Sequence, residues 1–391
     1  MNEFSKHWQL DPAVTFLNHG SFGACPTSVL AAQRELTARL ELEPVRFFIR
    51  ELDALLEAAR AEVAAFLGAQ PEDLVFVPNA TAGVNTVLRS LTFKPGDELL
   101  TTSHAYNACK NALQFVADQF GAKIVVATVP FPVRDADDIS AAVLNAVTPH
   151  TKLVMLDHIT SPTALIFPVQ KIVRELSTRG IDALIDGAHA PGIIPLNIEQ
   201  IGAAYYTGNC HKWVCAPKGA GFLHVRREKQ AAIRPLSISH GANSARTDRS
   251  RFLIEFEWTG TADVTPYLCI PIALRTLGAM VPGGWPEIMR RNHALAIEGR
   301  NVLCRALNVV PPCPDDLLGS MATVPLSGND TGPANLLGTD PLQDELFFKH
   351  NIEVPIVGWN HPRRMVRISA QLYNQRCDYE KLTAVLEKLL R

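Results

Sequence analysis

An aspartate and a lysine set 26 residues apart are the first candidates for chemistry in this 391-residue sequence. Asp186 ends the apolar run Ala183-Leu184-Ile185 and opens Asp186-Gly187-Ala188-His189. A carboxylate at the end of a buried strand must find a cation or several donors to stay ionised. The same residue type also caps turns and helices, but Gly187 and Ala188 leave open space beside it, as a bound planar ring requires. Lys212 lies in Thr207-Gly208-Asn209-Cys210-His211-Lys212-Trp213, a segment otherwise poor in charge. Lysines are ordinarily solvated, whereas a desolvated one has the depressed pKa that imine formation with an aldehyde requires. Upstream, Asn79-Ala80-Thr81-Ala82-Gly83 separates a strand pattern from a helix pattern. Free N–H groups and the helix dipole favour an anion such as phosphate there, although Thr81 taken alone is equally an N-cap. Together, a phosphate cradle, a strand-end aspartate and a downstream lysine make a pyridoxal phosphate site. The aspartate keeps the pyridinium nitrogen protonated so that the ring is an electron sink, and the lysine holds the aldehyde.

These residues need a scaffold that brings strand ends together. Leu74-Val75-Phe76-Val77 is β-rich, and after the turn at Pro78–Gly83, Val84, Val87, Leu88 and Leu91 fall on one helical face. The alternation returns with Glu98–Thr102 before the segment Tyr106–Phe120, with Lys123–Val129, with Lys152–Leu156 before Val169–Thr178, and with Ile181–Ile185. Strands alternating with helices imply right-handed crossovers and a mostly parallel sheet covered on both faces. The fold class is therefore α/β, with binding residues just beyond the carboxyl ends of the strands. Ser28–Leu67 is helical in pattern and interrupted at Pro44, which predicts two helices packed on this domain. After about residue 265 the alternation fades. Pro282-Gly283-Gly284-Trp285-Pro286 breaks the chain, a Pro- and Gly-rich stretch spans 311–341, and Asp378–Leu390 reads as a closing helix. The expected organisation is an N-terminal arm over 1–20, a large α/β domain over 21–265 and a smaller α+β domain over 266–391.

Composition narrows the function classes. The chain is 47% hydrophobic and 19% charged, as in ordinary globular proteins, so it folds throughout. With 37 Lys plus Arg against 39 Asp plus Glu, the net charge of −2 provides no basic field for nucleic acid or an anionic membrane. Small molecules are the expected ligands. No signal segment and no apolar run of membrane-spanning length is evident, which predicts an unexported, cytoplasmic protein. Eight cysteines at irregular spacing read as reduced thiols, and Cys210, His211 and Cys215 lack the paired spacing of a zinc site, so no metal is expected.

The sequence resembles the class V branch of the fold-type I pyridoxal-phosphate enzymes, most closely isopenicillin N epimerase and its relatives. The resembling pieces are Phe16-Leu17-Asn18-His19-Gly20-Ser21-Phe22-Gly23, Asn79-Ala80-Thr81, Asp186–Gly192, Asn209–Trp213, Trp258-Thr259-Gly260-Thr261-Ala262-Asp263 and Arg367-Ile368-Ser369. They run in order along nearly the whole chain. The resemblance implies a large domain with a seven-stranded-type sheet between helices and a smaller C-terminal domain. It also implies that Lys212 would hold the cofactor aldehyde and Asp186 the pyridine nitrogen, with His189 and Ser161 near the phenolic oxygen. Thr81, Ala82 and Gly83 would bind the phosphate, helped by Asn209 and His211, while Thr261 would reach the neighbouring subunit's phosphate in a homodimer with shared active sites. Tyr106, or else His104, would stack on the ring. Arg367 would clamp the substrate carboxylate through its two-pronged fork, with Asn18, His19 and Pro44-Val45-Arg46-Phe47-Phe48 at the substrate mouth.

Loss of a Cα proton from a cofactor-bound amino acid leads to epimerisation, transamination or β-elimination, and Lys212 can serve as base in all three. Desulfurases of this class carry a nucleophilic cysteine on a loop ahead of the carboxylate-binding arginine. His350–Val357 contains none, and the nearest earlier cysteine is Cys313. The leading expectation is an isopenicillin N epimerase-like enzyme acting at the Cα of an amino acid. A β-lyase on cysteine, cystine or a thioether conjugate is the alternative, with aminotransferase activity third. A binding protein on a dead scaffold is disfavoured while Lys212 and Asp186 are both present.

Overall fold

A computed structural model of the chain describes residues 2–327, 339–359 and 363–390. Twelve strands follow in order: β1 (Thr15–Phe16), β2 (Leu74–Val77), β3 (Glu98–Thr102), β4 (Lys123–Ala127), β5 (Thr151–Asp157), β6 (Asp182–Gly187), β7 (Tyr205–Asn209), β8 (Gly221–Val225), β9 (Met321–Leu326), β10 (Ile352–Glu353), β11 (Ile356–Trp359) and β12 (Arg363–Ser369). β2 to β8 form one seven-stranded sheet in the order β2-β8-β7-β6-β5-β3-β4. All its pairings are parallel except those of β8, which runs against both neighbours.

The strands read as continuous apolar runs because both faces of the sheet are buried. Adjacent residues point to opposite sides, so Leu100, Val154 and Ile185 enter one core while Leu99, Leu153 and Leu184 enter the other. The first core is closed by helices Leu52–Leu67, Ala136–Asn145 and Val169–Thr178, the second by Ala80–Ser90, Asn107–Phe120 and Arg251–Glu257. In Val169–Thr178 the positions Val169, Ile172, Val173 and Leu176 are all buried. That is one helical face at roughly 1.5–3 kcal/mol per large side chain.

The expected pair of N-terminal helices is present as Thr27–Leu42 and Leu52–Leu67, joined by a short α-helical turn over Pro44–Arg46 and a wider π-helical turn over Phe47–Glu51. The C-terminal part holds the 23-residue helix Gly284–Ala306 and the antiparallel sheet β11-β12-β9, and it closes on the helix Arg376–Leu389. Of the Pro- and Gly-rich stretch 311–341, residues 328–338 lie outside the described residues. The N-terminal arm does not hang free. β1 pairs in parallel with β10, with Thr15 opposite Ile352 and Phe16 opposite Glu353, so the first strand belongs spatially to the last fifth of the chain. No helix among the described residues is long and apolar enough to cross a membrane.

The chain direction in the sheet switches between β3 and β5: β4 lies outward on one side and β6 then β7 on the other. Loops leaving the carboxyl ends of β3 and β5 therefore diverge, and a crevice opens between them.

Candidate active site

A cavity of about 440 Å³ lies in that crevice. Tyr106 from the segment after β3, Asp157 and Ser161 from the end of β5, Asp186, Ala188 and His189 from the end of β6, and Asn209, His211 and Lys212 from the end of β7 all line it. Pro78–Thr81 enters from the loop after β2, and Ser21 and Phe22 from the N-terminal arm. A single feature of the fold, the alignment of parallel strand ends, thus gathers residues separated by more than a hundred positions in sequence.

Lys212 is held over the cavity by its neighbours. Trp213 donates its indole N–H to His189 Nδ1 at 3.3 Å. That contact leaves the proton of neutral His189 on Nε2, which lies 3.2 Å from Lys212 Nζ. The pair is a hydrogen bond only while the lysine is an uncharged amine. Burial, and then the charge of Arg367, brings Lys212 down to about 8, and burial pushes His189 well below the ordinary histidine range. The lysine loop is fixed from below by His19, whose Nε2 contacts the Lys212 carbonyl at 3.0 Å and whose Nδ1 meets the Tyr373 hydroxyl at 2.7 Å. Gly23 crosses the same loop so closely that a Cβ there would sit 2.2 Å from the His211 carbonyl oxygen.

Asp186 is buried, and burial raises its carboxyl above the usual range. Its Oδ2 accepts from the Cys109 thiol at 3.0 Å and its Oδ1 from the Ala188 N–H at 2.9 Å. The open space expected beside it is only half present. Ala188 lines the cavity, but a Cβ on Gly187 would meet the Tyr206 ring at 2.4 Å, so that glycine makes room for packing rather than for a ligand.

The anion end is narrower than the sequence predicted. Asn79, not Thr81, caps the helix Ala80–Ser90, accepting from the Ala82 N–H at 2.9 Å. The Ala80 N–H goes to Asn209 Oδ1 at 2.8 Å and the Gly83 N–H to the Asn79 carbonyl at 3.1 Å. Ala82 and Gly83 are thus corrected: their donors are occupied, and Gly83 instead lets the helix lie on β7, where a Cβ would meet Thr207 Oγ1 at 2.1 Å. The N–H and hydroxyl of Thr81 keep no protein partner among the described residues. His211 Nδ1 donates to the Ala220 carbonyl at 3.1 Å, which leaves Nε2 free. Burial, and then the nearby Lys212, brings His211 down to about 4, and a bound anion is what would restore its charge.

Arg367 is buried in β12 and reaches the cavity wall through Ser161. Its Nη1 donates to the Ser161 carbonyl at 2.7 Å and hydroxyl at 3.0 Å, and its Nη2 to the Ser21 hydroxyl at 3.1 Å. Nε has no partner. The side-on fork of Nε and the second Nη2 proton is therefore the part of the guanidinium left for a carboxylate. Burial lowers Arg367 to about 10, which keeps it charged at neutral pH.

Other expectations are redirected. Asn18 donates to Glu353 Oε1 at 2.8 Å and accepts from Ser21, so it positions Ser21 rather than lining the cavity. His19 is fully buried beneath the lysine loop, and desolvation holds it near 3. His104 is also buried, with Nδ1 on Thr163 at 2.7 Å and Nε2 facing the Val129 carbonyl at 3.2 Å, so that of these two candidates Tyr106 is the one that lines the cavity. In the 44–48 segment Phe47 is buried and Phe48 packs edge-on against Trp258, away from Lys212. Thr261 is exposed and lies outside this cavity. Cys210, His211 and Cys215 do not converge. Among the described residues only Asp73, Glu199 and His224 offer three metal-donor atoms within 4.8 Å, and Asp73 Oδ1 already accepts from Arg227 and Gln230.

Sequence reasoning missed Asp157, Cys109 and Ser21. Asp157 was findable, since it ends an apolar strand as Asp186 does. Cys109 had no signal beyond lying one helical turn after Tyr106.

The residues present fit pyridoxal phosphate: a free N–H and hydroxyl at Thr81 for the phosphate, with His211 Nε2 able to take up a proton beside it, a buried carboxylate for the ring nitrogen, and a lysine of lowered pKa for the aldehyde. Comparison with known proteins agrees. The family model for aminotransferase class-V matches residues 25–262. Isopenicillin N epimerase of Amycolatopsis lactamdurans is 33% identical over 97% of this chain and 96% of its own length. A probable chloroplastic L-cysteine desulfhydrase of Arabidopsis thaliana is 30% identical over 100% of this chain and 85% of its own. Among solved structures, the cystine C-S lyase C-DES in complex with its product cysteine persulfide superposes with a TM-score of 0.77 at 21% identity, covering 96% of this chain and 97% of that one. The chain belongs to the class-V aminotransferase family.

Proposed function

We propose that the protein is a pyridoxal-phosphate enzyme that acts at the Cα of an amino acid, with isopenicillin N epimerase-like chemistry as the leading reading. The observation that carries this reading is the placement of a Lys212 amine and an Asp186 carboxylate on one cavity, with the Arg367 guanidinium held just behind its wall by Ser161 and Ser21. When bound, the cofactor supplies an electron sink that makes a substrate's Cα proton acidic. Arg367 orients the substrate by its carboxylate, Lys212 takes or returns the Cα proton, and His189 Nε2 keeps the amine aimed. Return of the proton from a different group is what epimerisation adds. Tyr106 is the candidate, because burial, then the charges of Cys109 and Asp186, raise its phenol so that it stays protonated.

A cysteine or cystine β-lyase is the second reading, favoured by the similarity to the desulfhydrase. Persulfide-forming desulfurase chemistry is disfavoured, since the sequence holds no cysteine between Cys313 and Cys377. A homodimer belongs to the same proposal. Thr261 is exposed and outside the cavity that holds Lys212, and an apolar cleft lined by Phe76, Leu236, Trp258 and Ala262 adjoins that cavity at Pro78. So does a cytoplasmic setting, supported by six cysteines buried as free thiols.

Incubation of the loaded protein with single L-amino acids in deuterated water tests the reading. Cα exchange with D-isomer and without pyruvate is the expected outcome. Pyruvate with sulfide from cysteine or cystine makes the enzyme a lyase and removes the epimerase assignment.

A further inference from the structure

The end of the sheet that presents Asp186 presents a second carboxyl group for which the reaction above has no use. Asp157 is the last residue of β5, and the parallel register sets it opposite Asp186 on β6. Residues paired in this way point to the same face, so the two carboxyl groups stand side by side. Both are buried and both line the cavity.

Their surroundings differ. Asp186 has a donor on each oxygen, the Cys109 thiol and the Ala188 N–H. Asp157 Oδ1 is buried with no partner among the described residues. The groups that bear on Asp157 from the packed elements are Asp186 on β6, the backbone N–H groups of Tyr106 and Ser161, the Cys109 thiol on the helix behind, and Lys212 on the loop after β7. Only Lys212 among them can carry positive charge, and its Nζ lies against His189 Nε2 rather than against either carboxyl group. His158, next on the strand, contacts the Tyr206 hydroxyl through Nδ1 instead. Two adjacent buried carboxyl groups cannot both ionise cheaply, and the one with an oxygen left without a donor retains the proton. Burial, and then the charge of Asp186, push Asp157 well above the carboxylate range, in keeping with the geometry.

We propose that Asp157 is a neutral carboxylic acid at neutral pH, that it serves as a hydrogen-bond donor into the cavity toward the bound cofactor, and that the negative charge of the pair resides on Asp186. Only the target of the hydrogen bond rests on the cofactor reading. The protonation state concerns this chain alone. The arrangement has a function for the site: one carboxylate faces the ring nitrogen without a second negative charge beside it, and the orphaned oxygen finds an acceptor when the cavity fills.

Infrared difference spectra of cofactor-free protein, wild type minus D157N, test the first part. Loss of a carboxylic-acid C=O band is expected, and loss of a carboxylate band overturns the proposal. This outcome does not depend on pyridoxal phosphate. In cofactor-loaded protein, D157N retains a donor and should bind pyridoxal phosphate as wild type does, with an unmoved pH midpoint of the visible absorbance. D157L should weaken cofactor binding by about tenfold, the loss of one buried hydrogen bond. Equal affinity of D157N and D157L removes the donor role, and a midpoint shifted by about a unit or more in D157N shows that a full negative charge was present. If no variant, nor wild type, gives visible absorbance with pyridoxal phosphate, the cofactor reading fails while the infrared result still decides the state of Asp157.

Discussion

The two ends of the central sheet handle buried charge in opposite ways. At the amino ends of the strands, Asp73 Oδ1 accepts from Arg227 Nε at 2.6 Å and Gln230 Nε2 at 2.7 Å, and Asp182 meets Lys229 Nζ at 2.5 Å. At the carboxyl ends, Asp157 Oδ1 and, reaching in from β12, Arg367 Nε have no partner among the described residues, and Lys212 faces an imidazole rather than a carboxylate. The first arrangement fixes elements to one another. The second leaves polar groups whose hydrogen-bonding capacity the fold does not use, unlike an ion pair that ties elements together. The division is not absolute, since His224 Nδ1 at the amino end is also unpartnered.

Substitutions at each end sharpen the contrast. The largest effect belongs to Lys212→Ala, which should lower turnover by roughly 10³-fold or more, as expected for loss of the proton-transferring base, and should abolish covalent retention of the cofactor after borohydride reduction. Surviving activity would remove Lys212 from its role. In the wild type the sign of its titration is also testable. Because its charged form is disfavoured, the reactive amine predominates above about 8, so reloading of cofactor-stripped protein should accelerate up to that pH and then level off. A rate still climbing toward the ordinary 10.5 would show that the lysine is not desolvated.

Arg367→Ala comes next. Losing a charged fork to a carboxylate costs about 2–3 kcal/mol, so KM for amino acids should rise roughly 30- to 150-fold while cofactor affinity changes little. An unchanged KM would take Arg367 out of substrate binding. The smallest effect is expected at the opposite end. Asp73→Ala leaves buried Gln230 short of an acceptor, whereas Arg227 is largely exposed and loses little. Urea denaturation should show a loss of about 1–3 kcal/mol, with kcat unaltered. A fall in kcat without a fall in stability would break the distinction between the two ends.

Much of this was legible in the residues. Apolar runs predicted β2, β3, β5 and β6 to within a residue or two, because strands buried on both faces carry their signal continuously. Helix Val169–Thr178 was placed to the residue by its periodicity. Where chemistry demands a residue type, the residues singled out in the sequence, Lys212 and Asp186, come together at one cavity. The site was misread where a side chain's direction decides. His19, His104 and Asn18 are chemically fit for a cavity wall, yet each is turned into packing, His19 by Tyr373, His104 by Thr163 and Asn18 by Glu353.

By itself the sequence determined the class of fold and the cofactor chemistry, since strand and helix periods are local and since ordered motifs of reactive residues survive without coordinates. Only the tertiary structure decided which donors remain free. Hydrogen bonding is saturable, and whether Ala82, Gly83 or Thr81 can meet an anion depends on what Asn79 and Asn209 have already taken. The pairing of Asp157 with Asp186 is likewise a matter of register between strands 29 positions apart in sequence, which no local pattern encodes.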